Sequence, residues 1–453
     1  MLFERIISRG LAHYSYLLGD KSDAIVIDPR RDCEIYIDRA AAEGMGIRHI
    51  LETHRNEDYV VGSVELAGRS GAEIWHADGH LDYRYGKAVK DGQMWKVGRL
   101  EVEAIHAPGH TLGTMNYLLR DPGGMPWVLF SGDTLFAGEV GRIDLLGKEM
   151  EPKMAGLLYE SIFGKLLPLG EDVIVCPAHG SGSVCGESIA ERLWTTVGIE
   201  RKHNPRLQFR EKEEFVAHLM ESQPERPPYF LQMERLNLEG AALGALPSPR
   251  LLAPDDFEEK AKDATILDTR MELGFGAAHA PGAQSIWLDG LASFAGWYLS
   301  YERPILLVNE TNDFEEQIRV LVRLGFDNVA GCLAGGMLGW HLSGHDSENI
   351  ATVTVQEACR RLDAGEEILI LDVRSDEELM KDGSIHDAIH VHVTRIPESL
   401  TEIPRGKKIH VFCGSGLRSM IAASYLQRQG WTDLAVVLGG MAAWRSRRCP
   451  IER

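Results

Sequence analysis

Short apolar runs, rich in Val and Ile, recur through the first half of the chain, and each gives way to polar residues. Residues 24–27 lead to Asp28, 49–51 to His54, 102–105 to a loop ending at His110, 128–130 to Asp133, and 173–175 to His179. Runs of this length read as buried strands. Strand ends that converge on one rim of a sheet structure are a common way to build a site on rigid elements. Past residue 250 the pattern repeats. Asp268-Thr269-Arg270 returns as Asp372-Val373-Arg374, and Gly335-Gly336-Met337 as Gly439-Gly440-Met441, each displaced by the same 104 positions (268 to 372, 336 to 440). Each copy reads as a strand (264–267; 368–371), a second strand (305–308; 409–412), a helix, and a Gly-Gly turn into a helix. Strands alternating with helices predict a parallel α/β sheet in each copy. A unit of this length is domain-sized, so the duplication is a tandem of domains and not a solenoid. The small-residue and proline stretch 240–249 and the polar link 345–349 mark boundaries. The expected domains are 1–245, 251–345 and 352–453.

Composition narrows the classes. The 453 residues are 44% hydrophobic and 25% charged, ordinary for a folded chain. A net charge of −19 argues against a nucleic-acid or anionic-membrane surface, both of which need clustered Lys and Arg. The first residues, Met1 to Ile6, carry no long apolar core or cleavage site, and no run approaches the roughly 20 apolar residues that cross a bilayer. Seven scattered cysteines without a C-x-x-C pair suit reduced thiols. The expected compartment is cytoplasmic.

Candidate chemistry concentrates in two places. Cys413-Gly414-Ser415-Gly416-Leu417-Arg418 follows a strand and opens a helix. Two glycines let successive N–H groups curl inward as an anion-binding nest, and the helix N-terminus and Arg418 add positive charge. That setting favours a thiolate at Cys413, where the bland alternative is a buried structural cysteine. These residues, with Asp372-Val373-Arg374 and the Gly439-Gly440-Met441 turn, resemble the rhodanese sulfurtransferases over about 352–448. The resemblance implies that Cys413 carries a persulfide sulfur, held as an anion by Gly414, Ser415, Gly416 and Leu417 with Arg418. Related phosphatases of that fold have five residues between Cys and Arg; the four here favour sulfur over phosphate. A departure is Ile385-His386-Asp387-Ala388, where the family has a His-Ile-Pro-Gly run, which affects the neighbouring loop. The His386, His390, His392 cluster reads as a strand edge. The same offset places Asn309 at the cysteine position of the first repeat and Phe314 at the arginine, with Glu310, Asn312, Asp313 and Glu315 around them. Carboxylates there would repel an anion. Residues 251–345 are expected to be a rhodanese-like domain without its chemistry, in a structural or docking role.

In the N-terminal part, Thr53-His54-Arg55-Asn56-Glu57-Asp58-Tyr59 resembles the T-H-x-H-x-D-H signature of the metallo-β-lactamase fold with two histidines lost. Ala107-Pro108-Gly109-His110-Thr111, Ser131-Gly132-Asp133-Thr134 and Pro177-Ala178-His179-Gly180 follow in that family's order. The resemblance implies an αββα sandwich. With Asn56 and Tyr59 in place of imidazoles, neither full zinc shell of a binuclear hydrolase forms. His54, His110 and Asp133 remain, and two histidines with one carboxylate and open positions suit non-haem Fe(II) and oxygen chemistry. The persulfide dioxygenases of this fold bind iron through equivalents of these three. By the same resemblance Arg142, in Gly141-Arg142-Ile143-Asp144, contacts a carboxylate of a thiol carrier. Asp58 and His179 then orient ligands or touch substrate, and Cys185, in His179-Gly180-Ser181-Gly182-Ser183-Val184-Cys185-Gly186, accepts or relays sulfur. A small buried residue is as good a reading of Cys185.

End to end the chain resembles three-domain fusions of a persulfide dioxygenase with a degenerate and an active rhodanese domain. The implied activity is oxidation of a low-molecular-weight persulfide by O₂ to sulfite, with one Fe(II) per chain, and thiosulfate formation through Cys413. The implied partners are the persulfide of glutathione, coenzyme A or a similar thiol, O₂ and sulfite, in a homo-oligomer, with no nucleic acid and no membrane. Two alternatives are a zinc-dependent hydrolase of the glyoxalase II type fused to a rhodanese, and a non-catalytic scaffold presenting one working sulfurtransferase.

Overall fold

Neighbouring residues of a strand face opposite sides of its sheet, and in the N-terminal half both sides are apolar. Leu18, Ile25, Leu51, Val102, Tyr117, Leu119 and Phe130 pack into one core. Their neighbours divide between two others. Leu17, Val26 and Ile50 join Tyr36, Ala40 and Leu66 of the helices Glu34–Ala42 and Ser63–Ser70. Leu118, Leu129 and Val175 join Met154, Leu158 and Phe215 of the helices Glu151–Ser161 and Lys212–Glu221. Three cores separated by two sheets define an αββα sandwich, and each fully buried Leu or Ile contributes ~1.5–3 kcal/mol to it. This computed structural model describes residues 1–186, 188–209, 211–221 and 225–451. The first sheet holds Leu2–Ser8, His13–Asp20, Asp23–Ile27, Gly46–Leu51, Glu73–His76 and Lys87–Ala88 side by side in chain order. The second holds Met94–Val97, Leu100–His106, Met115–Arg120, Pro126–Gly132, Ile174–Pro177 and Thr195–Thr196, also in chain order. Asp23–Ile27 pairs parallel with Gly46–Leu51, and Pro126–Gly132 with Ile174–Pro177. Their carboxyl ends therefore deliver Asp28 beside His54, and Asp133 beside His179.

The chain divides into two compact units, Met1–Leu246 with Val322–Gly325, and Pro247–Leu321 with Phe326–Arg453. The second contains the duplication. Each repeat has a five-stranded parallel sheet, and with strands counted in chain order both run 1-5-4-2-3. The shared motifs have one structural job each. Arg374 is fully buried, forks onto Asp372 and donates to the Gly383 carbonyl at 2.9 Å. Arg270 does the same with Asp268 and the Ala278 carbonyl. In both, the pair ties a strand end to the end of the next helix. Helix Leu417–Arg428, which follows Cys413, packs on the first repeat. Gln284 donates to Ser424 Oγ at 2.8 Å and to the Ile421 carbonyl at 3.1 Å.

One expectation fails. Cys359 and Cys449 form a disulfide, Cα atoms 6.2 Å apart, so only Cys33, Cys176, Cys185, Cys332 and Cys413 are free. The partners are 90 positions apart, and no local spacing announces them. They meet because helix Val355–Asp363 and the segment after Trp444 share the outer core of the second repeat.

Candidate functional site

At the rim of the sandwich the structure brings His54, Glu57, His110 and Asp133 together, their ligand atoms within 4.8 Å of one another and all buried. His54 is aimed by a chain of hydrogen bonds. Asp28, at φ 48°, accepts from the Thr53 N–H at 2.8 Å and hydroxyl at 2.7 Å, and Thr53 Oγ1 lies 2.8 Å from His54 Nδ1. Burial raises the Asp28 carboxyl to about 6. His110 Nδ1 sits 3.1 Å from the Arg142 carbonyl. Both rings thus present Nε2 to the carboxylates. His110 Nε2 is 3.1 Å from Glu57 and 3.7 Å from Asp133; His54 Nε2 is 3.8 Å from each. Orienting a ligand ring through its other nitrogen is the usual support of a metal site.

The donor set fits a metal ion. His54 Nε2, His110 Nε2 and Glu57 Oε2 are buried without a hydrogen bond, which is expensive unless a cation satisfies them. Burial alone would lower His110, yet Glu57 and Asp133 outweigh it and lift the ring to about 9. Against its own burial Glu57 is held at about 2 by His110 and His54. A metal ion would displace those protons, since ligands bind deprotonated.

Glu57 is the residue the sequence reading missed. It lies inside the His54-to-Asp58 signature, at a position where that pattern sets no requirement, and only the fold turns it inward. Asn56 does not enter the centre; its Nδ2 contacts the His54 carbonyl at 3.3 Å. Asn237, also missed, clamps this ligand loop. Its Nδ2 donates to the carbonyls of Asn56 (2.7 Å) and Tyr59 (2.8 Å), and its Oδ1 accepts from Val61 N–H. No sequence signal links the helix Phe230–Glu239 to that loop.

Arg142, expected at a substrate carboxylate, is 3% exposed and engaged with the protein. It forks onto Asp144 at 2.7 Å and donates to the Val184 carbonyl. Asp58, His179 and Cys185 form a second buried group next to the first. His179 Nδ1 meets Asp133 at 2.9 Å, His179 Nε2 is 3.0 Å from Asp58, and Cys185 Sγ is 3.6 Å from Glu57.

In the second repeat, Cys413 ends the strand Lys408–Phe412, and its sulfur accepts from Gly416 N–H at 3.1 Å. Gly416, at φ 127°, makes that inward turn possible and precedes the helix Leu417–Arg428. Gly414 and Ser415 complete the curl, and the Gly-Gly turn fixes it from behind. Gly439 N–H donates to the Ser415 carbonyl at 2.7 Å and Met441 N–H to Cys413 O at 3.1 Å. Arg418 has a partner besides the loop: its guanidinium forks onto Glu378 at 2.6 and 2.7 Å. Burial would raise Glu378, but Arg418 and the Ser375 N–H outweigh it and hold the carboxyl at about 2. Ser375 and Glu378 form a capping box on helix Asp376–Asp382, and that S-x-x-E spacing was the available signal. His390 lies on an edge strand, its Nε2 against the Arg374 carbonyl, while His392 meets Thr394. At the matching position of the first repeat, Asn309 holds Asp313 O and Phe314 is buried, so no nucleophile stands there.

Fold and sites together define one metallo-β-lactamase-type domain and two rhodanese-type domains, one of them lacking the cysteine. Residues 8–179 match the model of the Metallo-beta-lactamase superfamily, and 253–343 and 354–447 match the Rhodanese-like domain. Hydroxyacylglutathione hydrolase GloC of Haemophilus influenzae is 29% identical over 214 residues, 42% of this chain and 90% of that protein. A hydroxyacylglutathione hydrolase of Francisella tularensis is 32% identical over 174 residues, 38% of this chain and 65% of that one. The crystal structure of a metallo-β-lactamase from Staphylococcus aureus matches with a TM-score of 0.66 at 28% identity, covering 74% of this chain and 98% of that chain.

Proposed function

We propose that the chain is a persulfide dioxygenase and sulfurtransferase, oxidising a low-molecular-weight persulfide to sulfite and joining sulfite to sulfane sulfur at Cys413. The observation that carries the reading is the donor set of the N-terminal centre, two histidines with carboxylates, next to positions 56 and 59 where a zinc hydrolase of this fold has imidazoles. His54, His110 and Asp133, with Glu57, would hold the ion, and Fe(II) there would supply one-metal activation of O₂. Asp28 and Thr53 hold the His54 ring, the Arg142 carbonyl holds His110, and the closed surroundings exclude bulk water. The net change, RSSH + O₂ + H₂O giving RSH, sulfite and two protons, balances.

At Cys413 the thiolate attacks the outer sulfur of a second persulfide. A new S–S bond forms and the carrier thiolate leaves. Sulfite then attacks the outer sulfur of the cysteine persulfide, the bond to Sγ breaks, and its electron pair returns to Sγ, which Gly416 N–H stabilises. No acid is needed, because each leaving group departs as a thiolate.

The hydroxyacylglutathione hydrolase relatives favour a second reading, zinc-dependent thioester hydrolysis. Metal analysis of anaerobically purified protein, with O₂ uptake on glutathione persulfide, separates the two. One iron per chain and uptake abolished by His110→Ala supports the dioxygenase. Two zinc ions and anaerobic thioester cleavage would establish the hydrolase, and neither metal nor uptake a scaffold.

A further inference from the structure

Each rhodanese-type repeat fastens the segment after its last helix to its first helix, and the two fastenings differ in chemistry. In the first repeat the clamp is ionic. His345 sets Nε2 2.9 Å from Asp255 and Nδ1 3.4 Å from Glu258, both on the helix Pro254–Ala261. Cys449 stands at the same place in the second repeat (449 − 345 = 104). There the clamp is the disulfide to Cys359, on the helix Val355–Asp363. The neighbouring tryptophans match too. Trp340 Nε1 donates to the Asp346 carbonyl at 2.8 Å, and Trp444 Nε1 to the Pro450 carbonyl at 2.9 Å. In the second repeat the clamped helix, Gly440–Ser446, bears on the nucleophile. Its Met441 N–H donates to the Cys413 carbonyl, and Trp444 packs edge-on against Phe412, 5.4 Å between centroids. Cys449 also lines a cavity of about 980 Å³, with Met380, Lys381, Arg445, Arg448 and Ile451. Arg445 is paired with Asp382 at 2.7 Å, and Lys381 and Arg448 make the lining basic in a chain of net charge −19.

We infer that Cys449 is a site of reversible thiolation by a low-molecular-weight thiol bearing carboxylates, and that opening the Cys359–Cys449 disulfide from this cavity slackens the Cys413 loop. The carrier thiolate attacks Cys449 Sγ. A new S–S bond forms there, the bond to Cys359 breaks, and its electron pair leaves on Cys359 Sγ. A second thiolate attacks the carrier sulfur of the mixed disulfide, which releases the carrier disulfide and leaves two protein thiols. The reverse exchange with carrier disulfide closes the clamp, so the electrons come from the carrier couple and return to it. Lys381 and Arg448 concentrate an anionic thiol at the cavity and favour its thiolate form. The ionic clamp at His345 is blind to thiols, and its repeat has no nucleophile to regulate. The exchange stands apart from the proposed activity; its effect on Cys413 rests on the sulfur-transfer reading.

The full chain is equilibrated against mixtures of reduced and oxidised glutathione, quenched by alkylation and mapped by mass spectrometry, and thiosulfate formation is assayed on the same samples. The Cys359–Cys449 pair is expected to open as reduced glutathione rises. Cys359→Ser, treated with oxidised glutathione, is expected to hold one glutathione on Cys449. Thiosulfate formation by the opened protein should fall about tenfold, less than the ~100-fold that a full 1 Å displacement of a reacting group costs. Lys381→Glu with Arg448→Glu keeps every cysteine; it should slow opening by glutathione about fivefold and not slow opening by cysteamine, a cationic thiol. Cys359→Ser with Cys449→Ser, unclamped under any conditions, should match the opened wild type in rate and melt below the closed one. Thiolation is overturned if excess reduced glutathione leaves the disulfide closed, or if Cys449 stays unmodified in Cys359→Ser. The coupling is overturned if opened and closed protein make thiosulfate equally fast. No thiosulfate from either form would sink the sulfur-transfer reading and the coupling with it, while thiolation is judged by mass alone.

Discussion

Gly440→Ala tests how the Cys413 loop is held. Gly440 sits at φ 45°, and a Cβ there would lie 2.1 Å from the Cys413 carbonyl oxygen and 2.4 Å from the Gly414 carbonyl carbon, where ordinary contact begins near 3.4 Å. Both neighbours are backbone, so relief requires the loop to shift by about 1 Å. The left-handed conformation costs a Cβ-bearing residue roughly 1–2 kcal/mol and overpacking about 1–3 kcal/mol more. A total of roughly 2–5 kcal/mol lowers the Tm of a unit of this size by about 4–20 °C. The larger effect is on chemistry, since misplacing a reacting group by about 1 Å costs on the order of 100-fold in rate. The assay is thiosulfate formation from persulfide and sulfite, with melting followed in parallel. The internal control is Gly336→Ala in the first repeat, which meets the Asn309 carbonyl at 2.8 Å and has no thiol to displace. It is expected to destabilise modestly and to leave sulfur transfer within about twofold. Full activity in Gly440→Ala, or an equal loss in Gly336→Ala, would refute the reasoning.

Three further outcomes are expected. Cys413→Ser stops thiosulfate formation while oxygen uptake and sulfite release continue, both read from one reaction mixture by ion chromatography and an oxygen electrode. Glu378 is held at about 2 against an ordinary 4.5, so its pairing with Arg418 stabilises fully above about pH 4.5 and is lost as pH falls toward 2. The pair is partly exposed, so screening leaves roughly 1 kcal/mol; Glu378→Gln should flatten that acid limb in denaturant titrations, and an unchanged limb counts against it. Arg374→Ala strands the buried Asp372 and is expected to cost about 3–5 kcal/mol, measured by urea unfolding, with a loss under 1 kcal/mol contradicting the strut role.

What could be read from the sequence was what depends on local pattern. Strands buried on both faces, the duplication, and the Cys413 loop all leave contiguous signatures, and the structure places them where those signatures imply. What could not be read depends on the chain returning to itself. Glu57 stands inside a recognised motif, but its inward direction is set by the sandwich. Glu378 pairs with Arg418 from 40 residues away, Asn237 reaches back across 181 positions, and Cys359 meets Cys449 across 90. In each case the partner residue has an adequate local explanation, such as a cap, a helix surface or a core filler, and nothing in that explanation points to the second role.

The first repeat keeps several supports of the Cys413 loop without the loop. It retains the buried Asp268–Arg270 pair, the sheet order, and a Gly-Gly turn whose Gly335 N–H is held by Asn312 at 3.0 Å. Part of the mould stands without its casting. Writing the 413–418 sequence into residues 309–314 is a minimal graft that asks whether the sheet and turn of the first repeat can shape a reactive sulfur.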